Sequence, residues 1–331
     1  MEESPVSHRH SWIAATRRFG FVALAAAALI APAHAIDNLK ILVPANPGGG
    51  WDQTGRALQA AMQSSNLVPK VTVDNKGGAG GTIGIAQFVN SQKGDGNALM
   101  VGGMVMVGAI VTNKSPVTLA QVTPIARLTG EFEVVVVPAS SKIQSMKELV
   151  AQLKANPGSV AWGGGSAGGT DHILAAMIAQ AVGADPAKIN YIAYAGGDEA
   201  LAAILGGHVA AGISGYGEFA GQIKSGKMRA LAISSDKRVP GIDIPTLKEQ
   251  GIDVELANWR GVFGAPGITD AQRKDLIDLV AKTVKTPAWQ ATLKKNEWDD
   301  LFMSGDDFKA FVEKDTARIT RIIESVGLAK K

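Results

Sequence analysis

An α/β fold is what this sequence predicts, and three observations carry the prediction. Short apolar runs recur along the chain, and segments whose apolar residues return at helical spacing lie between them. Glycine is in excess, 39 of 331 residues, and the excess falls in loops that join an apolar run to a helical one. Apolar residues make up 46% and charged residues 19%, the balance of a chain that buries a core and not of a disordered one.

The first element is an address. Arg9, Arg17 and Arg18 precede an apolar run from Phe19 to Ile30, and Ala33-His34-Ala35 supplies a small-x-small cleavage site. The run is too short to span a bilayer comfortably, so residues 1–35 are expected to be a signal peptide cleaved after Ala35. Thr16-Arg17-Arg18-Phe19 has a twin-arginine look that Gly20 weakens, which leaves the export route open. The mature chain is then expected outside the cytoplasm.

From Ile36 onward, strands are expected over 40–44, 71–73, 98–101, 133–137, 160–162, 189–194 and 228–233. Helices are expected over 52–63, 145–155 and 170–182, giving largely parallel sheets. The C-terminal third reads as helical. Thr269-Asp270-Ala271-Gln272 is a capping-box pattern, Pro287 suits a first helical turn, and Gly327 suits a helix end after Ile323. No internal repeat is evident.

Composition removes several classes of function. A formal charge of +3 without a Lys/Arg block does not suit a nucleic-acid binder. The absence of cysteine excludes a disulfide scaffold, a thiolate metal site and a cysteine nucleophile. The mature chain's two histidines, His172 and His208, stand far apart in sequence, so no metal site is expected, and no cofactor either.

Three glycine-rich loops point to ligand binding. They are Asn46-Pro47-Gly48-Gly49-Gly50-Trp51-Asp52, Lys76-Gly77-Gly78-Ala79-Gly80-Gly81-Thr82 and Gly163-Gly164-Gly165-Ser166-Ala167-Gly168-Gly169-Thr170. Glycine lets backbone N–H groups turn inward, and the following helix N-terminus adds partial positive charge. Loops of this kind facing one crevice bind an anion without arginines. Tight turning alone would explain any one of them; three of one kind tilt the balance toward binding.

Sharper motifs fail or stay secondary. Gly163-x-Gly165-x-x-Gly168 matches a dinucleotide fingerprint, but Asp185 falls before the next strand and not at its end. Gly221-x-x-x-x-Gly226-Lys227 lacks the P-loop hydroxyl, since Met228 stands there, and it precedes a strand. Gly164-x-Ser166-x-Gly168 fits a nucleophile elbow with Asp198 and His208 in hydrolase order, which keeps a serine esterase open as the alternative. Trp51, Trp259 and Arg260 read equally as pocket wall and ligand partner or as core and structural ion pair. Asp52, at a helix start, reads as structural.

Taken together, Val43 to Asp52, Gly78 to Gly84, Tyr194-Ala195-Gly196-Gly197-Asp198-Glu199-Ala200-Leu201 and Gly221 to Ala232 resemble the extracytoplasmic solute receptors of tripartite tricarboxylate transporters, the TctC or Bug family. The resemblance runs in order along essentially the whole mature chain. It implies a periplasmic receptor with a two-lobed, type II periplasmic-binding-protein fold, each lobe a sheet flanked by helices. Lobe 1 would comprise residues 36–134 and 236–331, and lobe 2 residues 135–235, with crossovers near Val137-Pro138 and Ser234-Ser235-Asp236 acting as a hinge.

The resemblance also implies a site. A small carboxylate, a tricarboxylate such as citrate or a dicarboxylate, would be held by backbone amides and hydroxyls. Lobe 1 would contribute Gly48, Gly49, Gly50, Trp51, Gly80, Gly81 and Thr82. Lobe 2 would contribute Ser166, Ala167, Gly168, Thr170, His172, Tyr194, Gly196 and Gly197. The implied receptor is a non-catalytic monomer that closes on its ligand and passes it to integral membrane transporter subunits, or reports it to a sensor kinase. His208 stands where the family often has Gln, which speaks against a catalytic base there.

Overall fold

The computed structural model describes residues 36–165, 167–194, 197–325 and 327–329, so residues 1–35, where a signal peptide is expected, and Ser166, Ala195 and Gly196 lie outside the described residues. Strand β1 (Asn38–Val43) buries alternate positions Leu39, Ile41 and Val43, as a strand with one face on a core must. Helix α1 (Gly50–Ser64) follows, then β2 (Lys70–Asn75), α2 (Thr82–Ser91), β3 (Ala98–Gly103) and α3 (Met104–Thr112). Strands β1 and β2 pair in parallel, as do β1 and β3. All six positions of β3 are buried, the pattern of an interior strand covered on both faces.

Strand β4 (Thr123–Pro138) is 16 residues long and organises the rest. After it come α4 (Met146–Ala155), β5 (Ala161–Gly164), α5 (Thr170–Ala181), β6 (Asn190–Ala193), α6 (Gly197–Leu205), β7 (Ala211–Gly215), α7 (Tyr216–Lys224) and β8 (Met228–Ile233). The chain then runs through β9 (Ala257–Gly264), α8 (Asp270–Thr283), α9 (Pro287–Asn296), β10 (Asp299–Ser304) and α10 (Gly305–Ser325). The strand order is β2-β1-β3-β9-β4-β7-β5-β6, with β8 and β10 also paired to β4.

Two sequence expectations need correction here. The sheet is not largely parallel: β9 is antiparallel to both β3 and β4, and β4 is antiparallel to β7, β8 and β10. Parallel pairing follows from strand–helix–strand units, whereas β9 returns to β3 and β4 after more than a hundred residues and is free of that constraint. The C-terminal third is also not purely helical, since β9 and β10 lie in it. Its helices begin as expected: Thr269 and Gln272 cap α8 reciprocally, and Pro287 occupies the first turn of α9 with Thr286 capping.

Strand β4 changes partners midway. Residues Thr123 to Phe132 pair with β9, and Glu133 to Val136 pair with β7. At the change, the Glu133 N–H donates to Ser234 Oγ at 2.9 Å and the Ser234 N–H donates to the Glu133 carbonyl at 2.9 Å. The Ser234 hydroxyl donates onward to the Leu256 carbonyl at 2.5 Å, so one buried serine ties both passing segments together. A main apolar cluster built on Trp162, Trp259, Trp289 and Phe263 is joined by a smaller one around Val134, Val136, Ile204 and Phe219. Among the described residues no helix is long and apolar enough to cross a membrane.

Candidate functional site

The first glycine loop is pinned from beneath by Asp52. Its carboxylate is buried and accepts the Gly48 N–H, the Asn75 side-chain amide and Arg56 Nε, each at 2.9 Å. Burial would raise the Asp52 pKa, but the hydrogen bonds from Arg56, Gly48 and Asn75 outweigh it and hold the carboxyl below its ordinary range. Asp52 is therefore structural, as its place in the sequence implied, and the Gly48 amide is spent on it. Gly49 precedes α1 without a capping side chain, so the first-turn amides of that helix carry no side-chain partner.

Above these amides lies a cavity of about 390 Å³. Asn46, Gly50 and Trp51 line it from the first loop, and Gly78, Gly80 and Gly81 from the second. Val105 of α3, Glu218 of α7, and Asn258 and Arg260 of β9 complete much of the wall. The Trp51 ring is wedged between two glycines: a Cβ at Gly81 would lie 2.7 Å from its Cζ3, and one at Gly103 would lie 3.3 Å from Nε1. Gly80 and Gly81 also hold φ of +64° and +93°, a region that penalises any side chain. The Thr82 hydroxyl donates to the Ala79 carbonyl at 3.0 Å and so braces its own loop.

Arg260 is the one cationic side chain lining this cavity among the described residues. Its Nη2 pairs with Glu131, its guanidinium lies 4.8 Å from the Trp298 ring centroid, and both it and Glu131 are more than nine-tenths buried. The pair exists because β4 and β9 run antiparallel with Thr129 opposite Arg260, which makes Glu131 a diagonal neighbour on the same face. Gly50 is pressed against the guanidinium, since a Cβ there would lie 2.6 Å from Nη2. Arg260 Nη1 is buried and without a hydrogen-bond partner among the described residues. Trp259 points to the opposite face, where its Nε1–H donates to Asp315 at 2.8 Å and its ring meets Phe308 and Phe311 edge-on. Trp259 is thus core, whereas Arg260 is both ion pair and cavity wall.

The third loop is held in place by its own helix and by a neighbouring strand. The Gly165 N–H donates to Asp171 at 2.6 Å, the Tyr191 hydroxyl donates to the Gly165 carbonyl at 2.9 Å, and the Gly168 N–H donates to His172 Nδ1 at 3.3 Å. The His172 ring stacks on Tyr191 at 4.0 Å, and burial lowers its pKa to about 4, so it is a neutral positioning residue. Thr170 is buried with its hydroxyl unpartnered among the described residues. A Cβ at Gly108 would lie 2.5 Å from the Gly168 carbonyl, so α3 seats directly on this loop.

The expected site residues therefore divide. Gly50, Trp51, Gly80 and Gly81 share the cavity, with Gly48, Gly49 and Thr82 beside it in the same loops. Ala167, Gly168, Thr170, His172 and Tyr194 belong to the third loop and its surroundings and do not line that cavity. Ser166 and Gly196 lie outside the described residues, and Gly197 opens α6. Of the hydrolase set, His208 is exposed in the turn between α6 and β7, while Ser166 and the Asp198 side chain lie outside what is described.

Sequence reasoning missed Glu218 and Asn258 and left Arg260 undecided. The available signal for Glu218 was a fourth strand–glycine–helix turn, Ser214-Gly215-Tyr216-Gly217-Glu218, which carries too little glycine to stand out. The charge of Glu218 acts on two buried acids, Glu133 and Asp171. Burial, then the charges of Asp171, Glu131 and Glu218, pushes Glu133 well above the usual carboxylate range. Burial likewise raises Asp171 to about 6, against the Gly165 hydrogen bond.

Residues 55–328 match the family model described as the tripartite tricarboxylate transporter family receptor. The chain is 30% identical to protein BugT of Bordetella pertussis over 94% of this chain and 96% of that one. Among solved structures, a TctC solute binding protein from Polaromonas is similar with a TM-score of 0.75 at 29% identity, over 87% of this chain and 98% of that one. Two Rhodopseudomonas palustris proteins share the fold: MatC, solved with bound malate, at TM-score 0.70 and 19% identity over 86% of this chain and 98% of that one, and another, solved with adipate, at 0.72 and 22% over 88% and 98%.

Proposed function

This chain belongs to the tripartite tricarboxylate transporter receptor family, and on that premise we propose that it captures a small carboxylate in the cavity at the head of α1. The observation that carries the reading is the cavity itself. Its volume of about 390 Å³ falls among small-molecule sites. It opens on the uncapped start of α1, two left-handed glycines and a buried guanidinium, an environment that favours a carboxylate oxygen. The malate and adipate of the R. palustris neighbours belong to the same chemical class. The protein acts in the periplasm after removal of residues 1–35 and delivers its ligand to membrane transporter subunits. No bond is broken.

Binding works by population shift. Strand β4 and the Ser234 crossover form the hinge between residues 36–134 with 236–331 and residues 135–235. Glu218 on α7 lines the same cavity as Gly50 and Arg260, so a ligand touching residues of both segments favours the closed form by its differential affinity for it. The third loop, with Ser166, Gly196 and Gly197, completes the closed site.

The test is calorimetric and thermal titration of protein unfolded and refolded to strip carried ligand, with malate, adipate, succinate, citrate, amino acids and aromatic acids. Saturable stabilisation, about 2.7 kcal/mol at a hundredfold excess over Kd, is expected for one carboxylate class. A flat response from refolded protein would remove carboxylate capture. Ester turnover lost in Ser166→Ala and His208→Ala would establish the hydrolase in its place.

A further inference from the structure

We propose that Glu133 is a positioning residue for the third loop: in the folded receptor it keeps its proton and donates it to Asp171, and this one shared proton fixes the carboxylate that holds Gly165. The consequence for ligand binding rests on the reading that the third loop completes the closed site. Glu133 stands on β4 at the residue where the strand passes from β9 to β7, opposite Gly215. Its side chain is fully buried, and no N–H or hydroxyl of a described residue reaches either carboxyl oxygen. The group within hydrogen-bond reach is another acid, Asp171, in the first turn of α5. Two ionised carboxylates have only acceptors to offer each other, whereas a carboxyl and a carboxylate can bond, so one of the two carries a proton.

The surroundings decide which acid carries it. Asp171 accepts the Gly165 N–H at 2.6 Å and its own backbone N–H, and the start of α5 favours negative charge there. Glu133 has no such donor, so an ionised Glu133 would be a buried charge without compensation. The charged neighbours reinforce this. Glu131 on the same strand and Glu218 on α7 act on Glu133 with the same sign, and Arg260 on β9 is taken up by Glu131. Tyr191 on β6 keeps its own proton, held there by burial and by the charges of Asp171 and Glu133, and gives its hydroxyl to the Gly165 carbonyl. Asp171 also lies flat against the loop, since a Cβ at Gly164 would lie 2.8 Å from its Cβ and 2.9 Å from Oδ2. The contacts from Glu133 through Asp171 to Gly165 therefore tie β4, where it changes partners, to the third loop.

The first experiment is infrared spectroscopy of the mature protein at a pH of about 8, where Asp171 and Asp299, both raised to about 6, are ionised. A protonated-carboxyl band is expected, and Glu133→Gln is expected to remove it. An absent band, or one that survives in Glu133→Gln, would overturn the protonated state. The second is amide hydrogen exchange at Gly165. Glu133→Leu, which has no proton to share, is expected to speed that exchange about three- to tenfold, and Glu133→Gln, whose amide N–H can replace the proton, to return it to within about twofold of the parent. Exchange as fast in Glu133→Gln as in Glu133→Leu would overturn the bond to Asp171; if Glu133→Leu does not fold, slow exchange in Glu133→Gln and the band decide. Calorimetric titration with malate and with adipate then reads the loop's part in binding. Affinity about three- to tenfold weaker in Glu133→Leu and recovered in Glu133→Gln is expected, and equal affinity in parent and Glu133→Leu would overturn the positioning role. If neither acid binds the parent, the carboxylate reading fails for these probes, while the band and the exchange still decide where the proton sits.

Discussion

Arg260→Met removes the guanidinium while keeping an apolar side chain of comparable reach. Its partner Glu131 is 8% exposed and Arg260 is 7% exposed, so the substitution strands a carboxylate in a desolvated place. Breaking a buried pair from one side costs roughly 3–5 kcal/mol, and the lost contact with the Trp298 ring adds about 0.5–2 kcal/mol. One effect works the other way. Arg260 Nη1 is already unsatisfied, and its removal recovers part of a penalty of about 1–3 kcal/mol. The net expectation is a loss of about 3 kcal/mol at pH 7, seen as a lower urea midpoint with an unchanged slope. Adding Glu131→Gln should recover most of it, because a neutral amide costs less to bury than an unpaired charge. In binding, loss of a charge-assisted hydrogen bond of about 1.5–3 kcal/mol corresponds to a ~10- to 150-fold weaker Kd by calorimetry. A single variant within about 0.5 kcal/mol of the parent would refute the reasoning. So would a double variant no more stable than the single.

Three further outcomes follow from the same geometry. Asp52→Asn should cost about 1–3 kcal/mol at pH 7, because an amide cannot accept from Gly48, Arg56 and Asn75 alike. Since its hydrogen bonds hold the folded-state Asp52 below the unfolded value, that stability is present above about pH 3.9 and lost as pH falls further, so acid unfolding curves should converge. Asp171 has the opposite sign. Burial raises it to about 6, so the folded chain binds the extra proton between about pH 4 and 6, and stability falls as pH rises through that window. Urea midpoints measured from pH 4.5 to 8 should show this fall, and Asp171→Asn should flatten it; an unchanged slope would contradict the assignment. Gly108→Val should force α3 off the third loop, because its Cβ would lie 2.5 Å from the Gly168 carbonyl. A loss of about 1–3 kcal/mol and a larger radius of gyration by small-angle scattering are expected; an unchanged radius would count against this contact.

The local signals in the sequence were legible where local chemistry decides the outcome. Ile41 and Val43 alternate into the core, Thr269 and Gln272 cap α8, and the glycine loops stand between strands and helices where their composition placed them. Asp52 was legible as a structural acid because its role is fulfilled within the first turn of α1, by Gly48 and Arg56, with Asn75 as the long-range addition. The ring of His172 is held by Gly168 and by Tyr191, a stacking partner nineteen positions on whose approach no periodicity encodes.

What the sequence alone determined was the α/β class, the loops that could hold an anion, and the family that these residues in this order resemble. Tertiary structure decided the rest. It alone set β4 antiparallel at the centre of the sheet, brought Arg260 to Glu131 across 129 positions, and laid Gly50 against that guanidinium. It also brought Glu218 to the cavity that Gly50 and Arg260 line. Turns, caps and alternation are settled by neighbours in the chain, whose conformational energies a sequence displays directly. Strand register between distant segments is settled by which faces bury together, and the charges that meet across a cavity are a consequence of that register.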